Sequence, residues 1–372
     1  MGPAGDFRPV VHTGGVPLPP PPRRSFASDN AAGAHPAVLE ALVRANDGHA
    51  LAYGEDAWTR RCEAAFRQLF DADVTTLLTF NGTGANVLAL LSLVGPAEAV
   101  VCTDGAHIAV DESGAPERIV GVKLIDLPAP EGKLVPAQLD DVVAHTRGGP
   151  HHAQPGVVSI TQSTELGTVY SIAEIAALCD TAHGHGLTVH LDGARIANAS
   201  AALGGDVATL RAMTVEAGVD VISFGGTKNG MIGGDAVVFV RPELTRRVHH
   251  LRKQVTQLPS KMRFLAAQFE ALLEGGRWLE LAGHANAMAA VLHERVAAIP
   301  GLDPGPAPAV NSVFPILPPA ALEPLRAWSF FWDWDAAAHQ VRWMTAWDTT
   351  EEDIDRFVAG VTEATVGVGA HN

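Results

Sequence analysis

Cysteine is scarce in this chain of 372 residues, which contains only three, at positions 62, 102 and 179. No two of them have CxxC spacing, so the pattern favours separate reduced thiols. Cys62 and Cys179 fall on the apolar faces of predicted helices, and we expect both in the core. Isolated thiols are typical of a reducing compartment, which predicts a cytoplasmic protein.

Positive charge is also in short supply. Lysine and arginine number 26 against 41 aspartates and glutamates, which gives a formal net charge of -15. A chain this acidic is not expected to bind nucleic acid through its overall field, and no basic run is long enough to reverse that. Polar or charged residues interrupt every apolar stretch, so no membrane span is expected.

Metal-ligand patterns and familiar nucleotide loops are missing as well. The histidine pairs 151–152, 183 and 185, and 249–250 have no companion ligand at the usual spacing, so we interpret them as surface or helix-terminal residues. No GK[ST] follows a glycine loop, and the glycine turn at residues 81–86 is not GxGxxG. We therefore expect no metal and neither of these two nucleotide-binding loops.

Short apolar runs that alternate with helical patterns make up most of the chain. Examples are "TTLLTF", "AVVCT", "LTVHLD", "VDVISF" and "DAVVFV". This alternation predicts an α/β fold with a mostly parallel sheet covered on both faces.

The alternation stops before a long helical region that runs to about Ile299, and a small α+β domain follows. We predict a disordered Pro-rich tail over 1–24, a large domain over 25–275 and a small C-terminal domain over 276–372. The aromatic run "WSFFWDWD" is expected in the core of the small sheet rather than in a binding surface.

Three polar features follow predicted strands of the large domain. In "NGTGAN", Gly82 and Gly84 allow close backbone approach, Thr83 adds a hydroxyl, and the next helix offers its positive end to an anion such as a phosphate. Similar turns also occur without ligands. Asp192 ends "LTVHLD", where its carboxylate could hold a protonated ring nitrogen or cap the next helix.

The third feature is Lys228, in "SFGGTKNG", 36 residues after Asp192. That separation is about one strand–helix unit, so the two side chains should lie on neighbouring strand ends. A partly desolvated lysine is a usable amine nucleophile, although an ordinary loop lysine remains an alternative. A phosphate cradle, an acid for a pyridine nitrogen and a reactive amine together suit pyridoxal 5'-phosphate.

These residues lie within a longer pattern that resembles the low-specificity L-threonine aldolases. The resemblance runs from Phe26 to about Phe357 and rests on stretches such as "FASDNAAGAHP", "AHIAVDESGAPE", "HLDGARIANA" and "VRWMTAWDTTEEDIDRF". It implies an aspartate-aminotransferase-like large domain with a seven-stranded sheet, a small α+β domain and a homo-oligomer, a dimer of dimers with active sites at the dimer interface.

The resemblance also implies the roles of individual residues. Lys228 would bind the cofactor covalently, Asp192 would hold its ring nitrogen, and His107 would stack on the ring and act in proton transfer. The residues implied to hold the phosphate or the substrate are Gly82, Thr83, Gly84, Arg195, Lys253 from a second subunit, Ser28, Arg342 and Thr164. Arg195 is implied in both groups, and pairing with a surface acid is its alternative.

The activity implied is reversible cleavage of L-threonine, L-allo-threonine and other L-β-hydroxy-α-amino acids to glycine and an aldehyde. His107 is the first candidate for the base at the β-hydroxyl, with Glu165 and Glu112 as alternatives. Many members of the family carry a histidine in the loop that here reads "TQSTELG". Another reaction on the same cofactor (β-elimination, racemisation or transamination) and a cofactor-free binding protein remain alternative hypotheses.

Overall fold

Seven strands form the main sheet of the computed structural model, which describes residues 18–369. They are β1 (Thr75–Thr79), β2 (Glu98–Thr103), β3 (Lys123–Leu127), β4 (Gln154–Thr161), β5 (Thr188–Gly193), β6 (Val221–Gly225) and β7 (Asp235–Phe239). Their order is β1-β7-β6-β5-β4-β2-β3, and only β7 runs antiparallel to its neighbours. The predicted mostly parallel sheet is therefore confirmed.

Helices cover both faces of this sheet, and β6 and β7 are buried along their whole length. The helices are α1 (Pro36–Ala45), α2 (Ala57–Phe70), α3 (Gly82–Leu93), α4 (His107–Val110), α5 (Pro136–Thr146), α6 (Ile172–Gly184), α7 (Ile196–Leu203), α8 (Val207–Ala212), α9 (Val248–Gln254), α10 (Arg263–Leu273), α11 (Arg277–Ala297), α12 (Pro319–Trp328) and α13 (Glu351–Gly369). Shorter helical turns are Asp29–Ala31, Pro116–Val120, Thr227–Asn229, Pro242–Thr245 and Glu274–Gly276. None of the helices within residues 18–369 combines the length and the apolar character that a bilayer crossing needs.

Helix α2 illustrates how the local pattern produces this packing. Asp56 caps it by accepting a hydrogen bond from the Thr59 N–H group at 2.8 Å. Cys62, Phe66 and Leu69 then recur at helical spacing and are buried against the sheet. Cys179 on α6 is buried in the same core, so the expectation for both thiols holds.

A three-stranded antiparallel sheet lies beyond the long helices. Its strands are β8 (Ser312–Val313), β9 (Trp332–Asp335) and β10 (Gln340–Met344), in the order β8-β10-β9. The chain kinks between α10 and α11 at Gly275 and Gly276, whose φ angles of 65° and 77° favour glycine. This kink coincides with the boundary expected near 275, and the division into domains remains a prediction.

The N-terminal arm crosses the small sheet before it reaches the large one. Phe26 packs in the small core, with its ring centroid 4.4 Å from that of Phe357. Arg24 pairs with Asp348 at 3.0 Å and with Asp353 at 2.8 Å. Residues 1–17 of the tail expected to be disordered lie outside the described residues, whereas Pro19, Arg23 and Arg24 contact α12, α13 and the loop before α13.

Strands β5 and β6 approach each other very closely at their carboxyl ends. A Cβ atom on Gly225 would lie 2.3 Å from the carbonyl oxygen of Ala194, and one on Gly193 would lie 2.8 Å from that of Ser223. Glycine at both positions therefore lets the segments after Asp192 and before Lys228 run side by side.

We expect Gly225→Ala to force these two strand ends apart, because the new methyl group would meet backbone that cannot rotate away. Overpacking of this kind typically costs about 1–3 kcal/mol, measured as the free energy of unfolding in urea at fixed protein concentration. Gly184→Ala is the control, since its Cβ would meet nothing within 4 Å. Equal stability of the two variants would contradict the close approach.

Candidate active site

Two adjoining cavities lie at the carboxyl edge of the large sheet, with volumes of about 50 Å³ and 500 Å³. Both are lined by His107, Glu165, Arg195 and Lys228. Asp192 lines the smaller cavity and Arg342 the larger one. Side chains from α4, β5 and the loop after β6 thus meet a strand of the small sheet, as expected for a ligand site at the carboxyl ends of parallel strands.

A wider cavity of about 720 Å³ lies between α2 and α10, away from these residues. Two of the three arginines that line it are already engaged: Arg61 donates to both carboxylate oxygens of Glu270, at 2.6 and 3.0 Å, and Arg211 donates to the carbonyls of Gln68 and Leu69. Size alone therefore does not make it the better candidate.

The glycine turn after β1 leads into the 12-residue helix α3. Asn81 caps this helix, with its Oδ1 atom accepting from the Gly84 N–H group at 2.8 Å. A Cβ on Gly84 would lie 2.3 Å from the amide carbon of Gln257, so glycine lets that side chain close over the turn. A Cβ on Gly82 would meet nothing within 4 Å, which leaves open space in front of the helix. The positive end of α3 thus faces room for an anion.

Asp192 is buried at the end of β5 and is fixed through both carboxylate oxygens. Oδ1 accepts from the Ala194 N–H group at 3.0 Å, and Oδ2 accepts from Asn86 Nδ2 at 2.8 Å. The same Asn86 nitrogen donates to Glu112 Oε1 at 2.8 Å, and that oxygen also lies 2.9 Å from His107 Nδ1. One hydrogen-bonded chain therefore joins Asp192 to His107.

Sequence reasoning did not assign Asn86 a role, although one signal was present. Asn86 is a polar residue in the otherwise apolar stretch "ANVLALL", one turn of α3 after Gly82. A buried amide in such a stretch needs polar partners, and here the partners are two carboxylates.

His107 begins α4 and lies in both cavities. Its hydrogen bond to Glu112 raises the pKa of the imidazole above its ordinary value, and Asp192 acts in the same direction. Burial and the charge of Lys228 oppose this rise. The imidazole is therefore biased towards its protonated form.

Lys228 lies in the helical turn Thr227–Asn229, directly after β6. Burial lowers the pKa of its amine, and the positive charge of Arg195 lowers it further, while Asp29, Asp192 and Asp235 attract a proton to it. Asp235 also secures the turn, since it accepts from Gly226 N at 3.1 Å and from Thr227 Oγ1 at 3.2 Å. A lysine with a lowered pKa is more often a free amine, as a nucleophile requires.

Arg195 forms a two-point pair with a buried aspartate of the N-terminal arm. Its Nε donates to Asp29 Oδ2 at 2.7 Å, and a terminal nitrogen donates to Oδ1 at 2.9 Å. Burial alone would raise the pKa of Asp29, but Arg195 and Lys228 outweigh it and hold that pKa below its ordinary value. The side chain expected to bind substrate or phosphate thus already has one anionic partner, and Ser28 lies beside it in the arm.

Arg342 projects from β10 into the larger cavity. Its guanidinium carbon lies 5.2 Å from the centroid of the Trp334 ring, and its buried Nε has no hydrogen-bond partner among residues 18–369. Burial lowers the pKa of this arginine. A desolvated guanidinium with an unmatched N–H group is suited to bind a carboxylate.

The expectation that "WSFFWDWD" forms core is wrong for Trp332 and Trp334. Phe331 is buried and Trp328 packs against the small core, but Trp332 is 55% exposed, and Trp332 and Trp334 line the larger cavity. The reason is that these two residues are two positions apart on β9, so both side chains lie on the face that borders the cavity.

Four residues implied by the resemblance line neither of these two cavities: Thr83 and Gly84, which lie in the first turn of α3, and Thr164 and Lys253. The Thr164 hydroxyl bonds to that of Thr168 at 2.7 Å, whereas the neighbouring Ser163 lines the smaller cavity with a buried hydroxyl oxygen that has no partner among the described residues. The Lys253 amine lies 5.1 Å from the ring centroid of Tyr53. No cluster of three or more potential metal ligands occurs within residues 18–369.

Comparison with known proteins gives consistent matches over most of the chain. A family model described as beta-eliminating lyase matches residues 25–317. The chain is 43% identical over 341 residues to a low specificity L-threonine aldolase of a Pseudomonas species, covering 91% of this chain and 97% of that protein. It is 44% identical over 336 residues to the Pseudomonas aeruginosa protein of the same description, covering 90% and 94%.

Solved structures extend the match to three dimensions. Leishmania major threonine aldolase superposes with a TM-score of 0.84 at 31% identity, covering 91% of this chain and 98% of that one. A serine palmitoyltransferase of Sphingomonas wittichii, only 15% identical, superposes with a TM-score of 0.68 over 93% and 88% of the two chains. That second likeness concerns the fold alone.

We expect Glu112→Gln to lower the pKa of His107 towards the ordinary histidine value of 6.5, because the amide keeps the shape but removes the charge. The stabilisation that the His107–Glu112 pair gives the fold is fully present below the pKa of His107 in the unfolded state. It is lost as pH rises through the raised pKa of His107 in the folded state. Titration of selectively labelled histidine by NMR measures the shift, and the exposed Glu117→Gln is the control. An unchanged His107 titration would contradict the link.

Proposed function

The chain belongs to the beta-eliminating lyase family, and on that basis we propose that it is a pyridoxal-phosphate-dependent aldolase. It cleaves L-threonine and related L-β-hydroxy-α-amino acids to glycine and an aldehyde, and the reaction is reversible. The resemblance to low-specificity L-threonine aldolases expected from the sequence is confirmed by relatives that match over nine-tenths of the chain.

The observation that carries this proposal is the meeting of three groups in one cavity. Lys228 supplies a desolvated amine, Asp192 a fixed carboxylate and His107 an aromatic ring. The positive end of α3 supports binding of a phosphate next to them. These residues fit pyridoxal phosphate, since that cofactor needs an amine for its aldehyde, an acid at its ring nitrogen and a phosphate cradle.

When bound, the cofactor supplies an electron sink for negative charge that develops at the substrate Cα. Asp192 would hold the protonated ring nitrogen, and Asn86 holds Asp192 in position for this. His107 would offer its flat face to the ring, and Glu112 sets the orientation of the imidazole. Lys228 would hold the cofactor through its amine.

Arg342 supports a site for the substrate carboxylate. It is the cation of the cavity whose Nε lacks a partner within residues 18–369, whereas Arg195 is paired with Asp29. Arg195 and Ser28 complete this end of the site, and Trp334 supports the guanidinium plane. A carboxylate fixed there orients the Cα–Cβ bond, which decides the bond that breaks.

We also propose that two subunits build the complete site, as the resemblance implies. Two half-exposed aromatic side chains lie near the segment that carries Lys253: Tyr53, whose ring centroid is 5.1 Å from the Lys253 amine, and Phe80, whose backbone N–H group donates to Gln257. Exposed aromatic side chains there support contact with a second copy, which would bring Lys253 to a neighbouring phosphate. Three free cysteines support the proposed cytoplasmic location.

We expect the protein mixed with pyridoxal phosphate to show an absorption band of the bound cofactor and to release acetaldehyde from L-threonine. Lys228→Ala should lose both, because no other side chain offers an amine in the cavity, while exposed Lys123→Ala should keep both. A band without aldehyde release would leave the cofactor and discard the reaction in favour of another one on the same cofactor.

Arg342→Met should raise the KM for L-threonine by roughly 10- to 100-fold, since a charge-assisted hydrogen bond contributes about 1.5–3 kcal/mol. Trp334→Leu should raise KM less, and Trp334→Phe, which keeps an aromatic face for the guanidinium, should restore it. Steady-state kinetics of aldehyde release measure the series. Equal KM values across the three variants would sink the carboxylate assignment.

A further inference from the structure

Glu165 is a carboxyl group in both cavities that the roles above leave unused. It lies in the loop after β4, which the Gln162 side chain holds in shape through two hydrogen bonds of 3.0 Å to the backbone of Tyr170. These bonds fix the conformation of the loop, and Glu165 lines the larger cavity together with Lys228 and Arg342.

The two oxygens of Glu165 have different surroundings. Oε1 accepts from the backbone N–H group of His107 at 2.8 Å and from the Thr161 hydroxyl at 2.9 Å. In the part of the chain that the structure describes, no hydrogen bond or ion pair joins Oε2 to another residue. One oxygen thus anchors the side chain while the other is available to a ligand, which is how a positioned base is built.

On this geometry we propose that Glu165 is the general base that takes the proton of the substrate's β-hydroxyl group. The inference rests on the aldolase function proposed above and deepens it, since that function needs a base and does not identify one.

The two other candidates fit this role less well. His107 Nδ1 is committed to Glu112, and that pairing favours the protonated imidazole, which cannot accept a proton at Nε2. Glu112 lines neither cavity, and its Oε1 already receives hydrogen bonds from Asn86 and His107.

The surroundings of Glu165 also favour the uptake of a proton more than those of an exposed carboxylate. Burial raises the pKa of its carboxyl group and Asp192 on β5 raises it further, whereas the backbone N–H groups and Thr161 oppose the rise. The charged groups that share its cavities are Asp192, Arg195, His107 and Lys228 in the smaller one, with Asp111, Asp333 and Arg342 added in the larger one. A carboxyl group with a raised pKa takes up a proton more readily than an exposed carboxylate and can still release it.

The proposed step balances without any further reactant. Glu165 takes the hydroxyl proton, the oxygen electron pair forms the aldehyde C=O bond, and the Cα–Cβ bond breaks. Its electron pair stays with Cα, for which the bound cofactor would supply the electron sink. One proton from water then reaches Cα to give glycine, and Glu165 returns the hydroxyl proton to water, so protons balance. In synthesis, protonated Glu165 returns the proton to the aldehyde oxygen.

The test compares wild type, Glu165→Gln and the exposed control Glu117→Gln, all loaded with pyridoxal phosphate. The amide keeps an oxygen for His107 and Thr161 but cannot accept the proton. Three quantities are measured: aldehyde release from L-threonine, exchange of the glycine α-proton with D₂O, and the dissociation constant of glycine from the change in absorption. Only the first involves a β-hydroxyl group.

We expect Glu165→Gln to lower kcat for aldehyde release by about 10²- to 10⁴-fold, with glycine exchange and glycine binding unchanged. Aldehyde release at the wild-type rate would overturn the assignment. An equal loss of release and exchange would also overturn it, because that pattern indicates a structural role. If the wild-type protein exchanges the glycine α-proton but releases no aldehyde from L-threonine, the proposed function is contradicted. The assignment of Glu165 is then contradicted as well.

Discussion

The pairing of Arg195 with Asp29 is the interaction on which the site depends. Lys228, Arg195 and Arg342 bring three cationic side chains to one buried region, where like charges repel strongly. Asp29 offsets this by binding Arg195 at two points and by attracting Lys228, while Asn311 of the small domain donates to the same carboxylate at 3.2 Å. With Arg195 so compensated, Lys228 forms no ion pair with a carboxylate among residues 18–369, and Arg342 Nε has no hydrogen-bond partner in that same range.

The neighbouring His190 shows how the sheet itself contributes. Its ring lies between Ser159 on β4 and Ser223 on β6, at 2.9 and 3.0 Å, and burial lowers its pKa to about 4. A neutral imidazole therefore ties three strands together two residues before Asp192. The Asp192 carboxylate is thus carried by a strand whose register is fixed without adding another charge.

Local pattern was sufficient to predict the sheet, the glycine turn, Asp192 and Lys228, because each follows directly from where an apolar strand ends. It was insufficient for Asn86, for the choice of Ser163 over Thr164, and for Trp334. Those assignments depend on which way a side chain points in a loop, helix or edge strand, and the deciding partners are distant in sequence. Arg342 lies between these cases. Its apolar neighbours in the sequence indicated that the guanidinium needs an anion, but they did not indicate that the Trp334 ring lies against it.

The path of the N-terminal arm has a further consequence. Phe26 accepts a backbone hydrogen bond from Met344 of the small sheet, Asp29 binds Arg195 of the large one, and His35 donates to the Gly230 carbonyl beside Lys228, at 2.8 Å. The arm from Phe26 to His35 thus connects the strand that carries Arg342 with the turn that carries Lys228. Asp29, which pairs with Arg195, lies on this same short segment, so the relative placement of the two sheets and the charge balance beside Lys228 depend on one stretch of chain.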